Sequence, residues 1–168
     1  KLALRQNTND TFAMYNLAVV YQDQGKTDQA EKLYQDVLKI IEDSFSRINL
    51  AGIFYNKGNH EEAFEQLETA ANKNPDSAYP LSALGEFKER EGKLAEAEKN
   101  YLKALSIDNR HALTHYRLGR LHLKQEKFAT GVEHLRQASD LETENPAYLE
   151  TLGAEYERSG DYLEAVNF

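Results

Sequence analysis

The sequence predicts an all-α protein in which one helical hairpin is repeated along the chain. Ala, Leu, Glu, Lys and Gln, which favour helices, dominate the composition, and strand signals are scarce. Apolar residues recur with the helical period, and the whole pattern returns every 33 or 34 residues. A hairpin of that length cannot bury its apolar face alone, so we expect stacked hairpins with a continuous apolar seam.

Residues 81–107 show the hairpin most clearly. In the first half, Leu81 and Leu84 begin a set of apolar residues spaced three and four apart. In the second half the same spacing resumes at Leu94. Gly92 lies between the halves, where the first helix must end in a left-handed conformation that glycine adopts without strain. The segment therefore predicts helix, turn, helix.

Small and large residues recur at equivalent places in successive hairpins. The small-residue series of the first helices comprises Ala18, Ala51, Gly85, Gly119 and Gly153. That of the second helices comprises Ala30, Ala63, Ala97, Gly131 and Ala165, and the large residues beside it are Tyr34, Leu67, Tyr101 and Leu135. The turn glycines are Gly25, Gly58, Gly92 and Gly160, with Glu126 in the fourth hairpin. Small side chains let the two helix axes approach, while large ones fill the grooves beside them.

On these residues the chain resembles the tetratricopeptide repeat (TPR) family, whose signature combines Leu-Gly/Ala, an aromatic, Gly, Ala, an aromatic, Ala and Pro over 34 residues. The resemblance implies an all-α, right-handed superhelical solenoid of antiparallel helix hairpins. It also implies one array over 1–168, divided into the tail of a preceding repeat at 1–10, repeats 1 to 4 at 11–43, 44–77, 78–111 and 112–145, and an incomplete repeat 5 at 146–168. Because neither end has a polar capping helix, we interpret the chain as an internal slice of a longer protein.

Repeat 1 is one residue shorter than the others, which predicts a tighter turn near Glu42 and Asp43. Pro80 and Pro146 fall in the first turns of predicted helices, where proline costs little because its missing N–H has no helical partner there. No stretch between repeats is long or low in complexity, so we expect no linker.

Composition limits the classes of function. The net charge of −8 disfavours generic nucleic-acid binding, which requires a basic surface. The chain has no cysteine, so disulfides and thiol chemistry are excluded, and it has no run of apolar residues long enough to cross a membrane. No charged-then-apolar leader opens the chain, as expected of a cytoplasmic protein, although a processed periplasmic or secreted chain would lack one as well.

The sequence shows no pattern of catalysis. It contains no phosphate loop, nucleophile elbow or HExxH motif. His111, His115 and His122 share one helix, but no third ligand stands at a zinc-like spacing, so we interpret them as structural or surface residues. We therefore expect a protein that is not an enzyme and needs no cofactor or metal.

A stripe beside the packing face of each first helix is the candidate binding surface. In the family that the chain resembles, this stripe lines a concave groove that holds extended peptides. The resemblance assigns to it Phe12, Tyr15, Asn16, Val19, Phe45, Ile48, Asn49, Tyr55, Tyr79, Arg117 and Arg120, and Lys124 continues the face of the two arginines. Aromatic residues that the seam does not need often mark binding surfaces, although those of the first two repeats could instead pack against neighbouring helices.

The stripe changes from apolar to basic along the chain. The segment 110–136 contains six Lys or Arg and two Glu, a net charge of +4, which leaves −12 for the remainder. Arg117, Arg120 and Lys124 are three and four residues apart, hence on one helix face, where they would suit a carboxylate or phosphate of a partner. A solvated charged face is the other interpretation.

These patterns predict a protein–protein interaction scaffold that binds a peptide or helix with apolar and acidic segments. Two alternatives stay open: a regulatory or substrate-recruiting region of a larger enzyme, and self-assembly through the uncapped ends. The family's carboxylate clamp for chaperone tails is disfavoured, because one alignment matches only Asn49 and another only Arg117. The family's asparagine ladder, which grips peptide amides, is matched only by Asn16 and Asn49.

Overall fold

The computed structural model describes the backbone of residues 2–159 and the side chains of residues 10–158. Within that range the chain forms nine α-helices and no strand. The helices are α1 Leu2–Asp23, α2 Thr27–Ile40, α3 Ser44–Asn56, α4 His60–Lys73, α5 Ala78–Arg90, α6 Leu94–Ile107, α7 Ala112–Lys124, α8 Phe128–Leu141 and α9 Pro146–Ser159. The all-α class predicted from the sequence is confirmed.

The turn inside each hairpin is made by one left-handed residue. Gly25, Gly58 and Gly92 have φ of 72°, 87° and 75°, which glycine adopts without a steric cost. In the fourth hairpin Glu126 takes this place with a φ of 60°, a conformation that is strained for a residue with a side chain. The first three turn positions are as predicted, and Gly160 lies outside the described residues.

The connections between hairpins follow the predicted lengths. Three residues separate α2 from α3, whereas four separate α4 from α5, α6 from α7 and α8 from α9. The short connection ends at Asp43, whose carboxylate accepts a hydrogen bond of 2.7 Å from the backbone N–H of Ser46 and so caps α3. Pro80 lies in the first turn of α5 and Pro146 begins α9, as the sequence predicted.

Helix α1 differs from the expectation. The register placed residues 1–10 in the tail of a preceding hairpin, with a boundary before Thr11, but α1 continues without a break from Leu2 to Asp23. The physical reason lies in the sequence, because no glycine or proline occurs in this stretch to end a helix or to change its direction.

The described helices divide into two compact units, Lys1–Pro75 and Asp76–Phe168. In unit 1, α1 packs on α2, α2 on α3, and α3 on α4. Its core contains Ala18, Ala30, Tyr34, Leu50 and Ile53, all of which are buried. Four of these five belong to the repeating series or precede it directly, so the seam of unit 1 has the predicted composition.

In unit 2, α5 packs on α6 and α7 on α8, and the hairpins are joined by α6 against α7 and α8 against α9. Tyr101 and Ala97 of α6 form a buried cluster with Leu118 and Leu121 of α7. Helix α5 also contacts α7 directly. First helices of successive repeats are therefore neighbours, which brings their side chains into range of one another.

Glycines allow two close approaches in unit 2. A Cβ built on Gly119 would lie 2.9 Å from the backbone oxygen of Gly131, so α7 and α8 touch through their two smallest residues. A Cβ on Gly85 would lie 2.5 Å from the ring of Tyr101. The small-residue series therefore exists because a larger residue would overlap the facing helix or its filled groove.

The side of α1 that carries Leu17 and Val20 is exposed, whereas the equivalent side of α3 is buried. Leu17 is 43% exposed, whereas its equivalent on α3, Leu50, is 2% exposed because α2 packs on it. Val20 is likewise exposed, and its equivalent Ile53 is buried. Among the described helices, α2 makes the main contact with α1, and α3 reaches it through the hydrogen bond between Asn49 and Tyr15.

Candidate functional site

An apolar pocket lies at the start of the first two hairpins of unit 1. It has a volume of about 300 Å³ and is lined by Thr11, Phe12, Tyr15, Val37, Ile41, Asp43 and Phe45. Phe12 is 68% exposed and Phe45 is 47% exposed. The pocket therefore offers two accessible aromatic rings above an aliphatic floor, a surface that suits an apolar side chain.

The other predicted residues of unit 1 differ in how far they are buried and in which neighbours they contact. Tyr15 and Val19 are half-buried against the core, and the amide of Asn49 donates to the hydroxyl of Tyr15 over 3.3 Å. Tyr55 stacks on the imidazole of His60 with ring centres 4.3 Å apart. Asn16 is exposed and Ile48 is half-buried. The interpretation of the stripe as packing therefore fits Tyr15 and Val19 best, because both pack against the core while Phe12 and Phe45 remain accessible.

A second, charged cavity lies in unit 2. We call it the basic cavity; it has a volume of about 440 Å³ and is lined by Glu86, Glu89, Arg90, Tyr101, Leu113, Tyr116, Arg117, Arg120 and Lys124. Four cationic and two anionic side chains give it a net charge of +2. All three predicted basic residues are brought together here, because successive turns of α7 place them on one face.

Two of those three basic residues already have acidic partners on α5. Arg117 pairs with Glu86 and also donates to the hydroxyl of Ser82 over 3.0 Å. Lys124 pairs with Glu89. The pairs join residues 31 and 35 positions apart, close to one repeat length, and therefore link the first helices of two successive hairpins.

Arg120 is the basic residue that these pairs leave available. Its guanidinium lies over the ring of Tyr116, 5.5 Å from the ring centre, and no carboxylate in the described part of the chain pairs with it. Stacking on an aromatic face holds the planar guanidinium in place without using all of its N–H donors. An incoming carboxylate would therefore meet an oriented cation.

The floor of the basic cavity connects to the core through Tyr101. Its ring is fully buried, and its hydroxyl donates to Glu89 over 3.1 Å. Burial and the neighbouring negative charge of Glu89 raise the pKa of Tyr101 well above its usual range. The phenol therefore stays protonated as a fixed donor, and Glu89 is held between Tyr101 and Lys124.

Tyr79, the remaining predicted residue, lies at the start of unit 2. It is exposed and meets the imidazole of His111 edge to face, with ring centres 4.4 Å apart. His111 is buried and shares a hydrogen bond of 2.6 Å between its Nδ1 and the hydroxyl of Thr114. Burial lowers the pKa of His111.

Three contacts that shape unit 2 were not predicted from the sequence. Glu86 and Glu89 belong to the candidate stripe, but their pairing with Arg117 and Lys124 of α7 was not predicted, although opposite charges about one repeat apart indicate such pairs. The contact of His134 on α8 with His115 and His122 on α7 was not predicted either, because residue spacing within one helix does not indicate contacts between two helices.

Neither a metal site nor a membrane-spanning helix is found among the described residues. No three His, Asp or Glu side chains described between residues 10 and 158 are placed to bind one metal ion. Among the described helices, none has the length and apolar character that crossing a membrane requires.

Comparison with protein families gives two overlapping matches. Two family models, both described as tetratricopeptide repeat, match residues 10–72 and 47–112. Together they span residues 10–112, which run from within α1 past the end of α6 and so include three hairpins.

Three curated relatives have moderate sequence identity. Anaphase-promoting complex subunit 3 of Schizosaccharomyces pombe is 24% identical over 71% of this chain and 18% of its own length. Human protein O-mannosyl-transferase TMTC1 is 26% identical over 83% of this chain and 16% of its own length. Photosystem I assembly protein Ycf3 of Synechococcus sp. (strain CC9311) is 27% identical over 58% of each. The chain thus spans less than a fifth of the first two relatives.

Solved structures share the fold. The structure of pilF from Pseudomonas aeruginosa matches with a TM-score of 0.79 and 20% identity, over 96% of this chain and 74% of that one. Cut9–Hcn1 of the APC/C matches with a TM-score of 0.77 and 18% identity, over 94% of this chain and 32% of that one. A MamA structure has a TM-score of 0.65 at 20% identity, covering 89% and 88%. At these identities the likeness concerns the fold, and it confirms the predicted all-α solenoid class.

Proposed function

This chain belongs to the tetratricopeptide repeat family, and we propose that it is a protein-interaction module that binds a peptide or helix of a partner. The names of two relatives, a complex subunit and an assembly protein, support a role in holding other proteins. The finer proposal is that the basic cavity of unit 2 binds an acidic side chain of a partner and that the apolar pocket of unit 1 binds an apolar side chain. Each pocket is a site in its own right.

Arg120 is the observation that carries this proposal. Among the predicted basic residues, Arg117 and Lys124 are neutralised by Glu86 and Glu89, so an acidic ligand would gain most from Arg120. The guanidinium offers several N–H donors in a fixed plane, which matches the two oxygens of a carboxylate. The two neighbouring ion pairs hold the cavity wall in place and add little attraction of their own.

The apolar pocket would supply affinity and the basic cavity would supply orientation. Burying an accessible aromatic side chain at an interface contributes more to affinity than a partly exposed charge does. Charges that remain near solvent mainly raise the association rate and suppress partners of the wrong sign. We therefore expect salt to change association at the basic cavity and to have little effect on binding at the apolar pocket.

The test is selection of a random peptide library displayed on phage against the immobilised 168-residue chain. We expect the selected peptides to carry Asp or Glu together with a large apolar residue. Arg120→Gln should weaken the binding of synthetic versions by about tenfold or more, the loss of one hydrogen bond to a charged group. The matched control is Arg136→Gln, which removes an exposed arginine paired with Glu133 on α8, away from the cavity.

The apolar pocket is tested on the same peptides. Phe45→Ala should raise their dissociation rate at low and at high salt, because it removes one of the two accessible rings. Phe128→Ala is the control, since Phe128 is a similarly exposed ring on α8 outside both pockets. Peptides without acidic residues, or equal affinities for Arg120→Gln and the parent chain, would remove the basis of the proposal.

Self-association is a second candidate, favoured by the exposed Leu17 and Val20 on α1. Equivalent residues of α3 pack on a preceding second helix, so a helix of the same kind would fit this side of α1. Sedimentation equilibrium over a wide range of protein concentration tests it. Self-association is supported if the mass of the parent chain rises with concentration while Leu17→Glu keeps the mass of a monomer. A constant mass of the parent chain would exclude it. The other alternative, a regulatory or substrate-recruiting region of a larger enzyme, would use the same two pockets. It differs only in that a catalytic domain would be joined to this chain.

A further inference from the structure

Three histidines meet where α7 packs on α8, and we call them the histidine cluster. His115 and His122 of α7 are each 7% exposed, and His134 of α8 is half-buried. The Nδ1 atoms of His115 and His134 lie 3.0 Å apart. The ring of His122 lies 5.5 Å from that of His134. Three groups that can each gain a positive charge are therefore packed together in a largely water-free contact.

The hydrogen bonds determine where the protons of this cluster lie. Nε2 of His115 is 3.0 Å from the backbone oxygen of Asn109, and because a carbonyl only accepts, this nitrogen carries a hydrogen. A neutral imidazole has one N–H, so Nδ1 of His115 is the acceptor in the pair with His134. The donor must then be the Nδ1–H of His134.

His122 is bound by a different partner. Its Nε2 is 3.3 Å from Oε1 of Glu98 on α6, so this nitrogen donates to the carboxylate. Its Nδ1 is buried and has no hydrogen-bond partner among the described residues, as suits an unprotonated nitrogen. Lys127 also pairs with Glu98, at 3.4 Å. Although burial opposes the effect, the bonds from His122 and Lys127 lower the pKa of Glu98, so the carboxylate stays charged in mild acid.

Protonation of His134 changes the energetics of this contact. A proton added to His134 leaves its Nδ1–H bonded to His115, but it places a positive charge beside two other imidazoles in a partly buried position. That charge weakens the packing of α7 on α8. The charges facing the cluster are Glu98 on α6, Lys127 before α8 and Glu133 on α8, and of the two acidic groups only Glu98 bonds directly to a member of the cluster.

We propose that the histidine cluster is an acid-sensitive latch, which joins α7 to α8 while its histidines are neutral and loosens that contact when they are protonated. Because α7 also carries Tyr116, Arg117 and Arg120, loosening would deform the basic cavity and release an acidic ligand. That consequence for ligand release rests on the proposed function. The loosening itself does not, because it concerns only the packing of two helices within unit 2.

The direction of the pH effect follows from proton binding. Burial, together with His115 and His122, lowers the pKa of His134 below the ordinary value of about 6.5. The folded chain therefore binds fewer protons than the unfolded chain as the pH falls through that value. The contribution to stability is complete above the ordinary pKa and is lost progressively below it.

The first measurement is a long-range ¹H–¹⁵N NMR spectrum of the histidine rings, recorded on the 168-residue chain at about pH 7.5 in the presence of a chelator. We expect neutral rings with the hydrogen on Nε2 in His115 and His122 and on Nδ1 in His134. The Nδ1 tautomer is the rarer one in solution, so its assignment to His134 is diagnostic. A His134 ring with its hydrogen on Nε2 would overturn the proposal.

The second measurement is amide hydrogen exchange at about pH 7.5 and about pH 5.5, on either side of the ordinary histidine pKa. After correction for intrinsic rates, protection in α7 and α8 should fall in acid by up to about tenfold, the most that one histidine of ordinary pKa can contribute between these pH values, while α3 and α4 change little. His134→Asn retains an N–H donor that cannot titrate, so this variant should lose the response. His60→Asn, in unit 1, should retain it.

The outcomes separate the latch from the proposed function. Equal changes in protection in all four helices, or an unchanged response in His134→Asn, would overturn the latch. If protection falls as expected but the affinity of an acidic peptide is the same at both pH values, the latch stands and the coupling to the basic cavity is wrong. If no peptide binds at either pH, the proposed function fails alone.

Discussion

Tyr101 donates its hydroxyl hydrogen to Glu89, 3.1 Å away and twelve residues earlier, and so ties the second helix of its hairpin to the first. The same bond recurs in the first hairpin, where Tyr34 donates to Gln22 over 3.1 Å, again twelve residues apart. The two bonds differ in their acceptor. In unit 2 the acceptor is a carboxylate that also pairs with Lys124, so the buried phenol stabilises a wall of the basic cavity.

Replacing each tyrosine with phenylalanine should separate these two roles. Tyr101→Phe is expected to lower the free energy of unfolding by about 1.5–3 kcal/mol, because its bond is to a charged group, and Tyr34→Phe by about 0.5–1.5 kcal/mol. Urea denaturation of both variants measures the difference. Only Tyr101→Phe should also weaken the binding of acidic peptides. A larger loss of stability in Tyr34→Phe would contradict this ranking.

Two glycine-to-alanine changes should act in opposite directions. Gly85→Ala places a methyl group 2.5 Å from the fixed ring of Tyr101 and should destabilise the chain by about 1–3 kcal/mol. Gly52→Ala has no atom within 4 Å of the new methyl group, and it should stabilise α3 by about 0.5–1 kcal/mol because glycine is a poor helix former. Thermal melting of both variants checks the signs, and a stabilised Gly85→Ala would contradict the packing of α5 on α6.

The cap of α3 should contribute measurable stability. Asp43→Ala removes the carboxylate that accepts from Ser46 and should cost about 0.5–2 kcal/mol. Ser77 occupies the same place before α5, but its side chain makes no capping bond, so Ser77→Ala should cost much less. Chemical denaturation of the two variants side by side makes the comparison. Equal losses would mean that the bond from Ser46 adds nothing.

Removing the acidic partner of Arg117 should strengthen the binding of an acidic ligand. Glu86→Gln releases the guanidinium and raises the net charge of the basic cavity from +2 to +3. We expect an increase of about two- to fivefold in affinity, the scale of a partly exposed ion pair, and a smaller increase at high salt. Glu133→Gln, which removes the partner of Arg136 on α8, is the matched control. Fluorescence anisotropy with a labelled acidic peptide measures both, and a decrease for Glu86→Gln would show that Glu86 itself binds the ligand.

The sequence predicted the helices and their turns because both depend on local and periodic features. A left-handed glycine and a small residue facing a large one are visible in one dimension, as Gly92 and the pair of Gly85 and Tyr101 illustrate. The sequence also placed Glu126 at a turn, because the repeat period indicates that position although glutamate is not a typical turn residue.

The arrangement of the candidate site was harder to predict. Whether Arg117 and Lys124 are available depends on side chains of the preceding repeat, and a list of basic residues on one helix does not contain that information. Likewise, His134 joins the cluster only because Gly119 and Gly131 bring α7 and α8 together. Residue types and spacing predicted which side chains share a surface, and the contacts between helices determine which of them remain unpaired.

The contact between Gly119 and Gly131 has a consequence for inherited variation. Every missense change at a glycine codon adds a side chain, so no such change at either position is conservative. At Gly119 the added Cβ lies 2.9 Å from a backbone oxygen, which cannot move aside. At Gly131 its nearest neighbour is the Leu123 side chain, 2.8 Å away, which can change rotamer, and the backbone oxygen of Gly119 lies farther off at 3.1 Å. In a library of all single-codon variants we expect Gly119 to be among the least tolerant sites of α7, and Gly131 to accept alanine and little else.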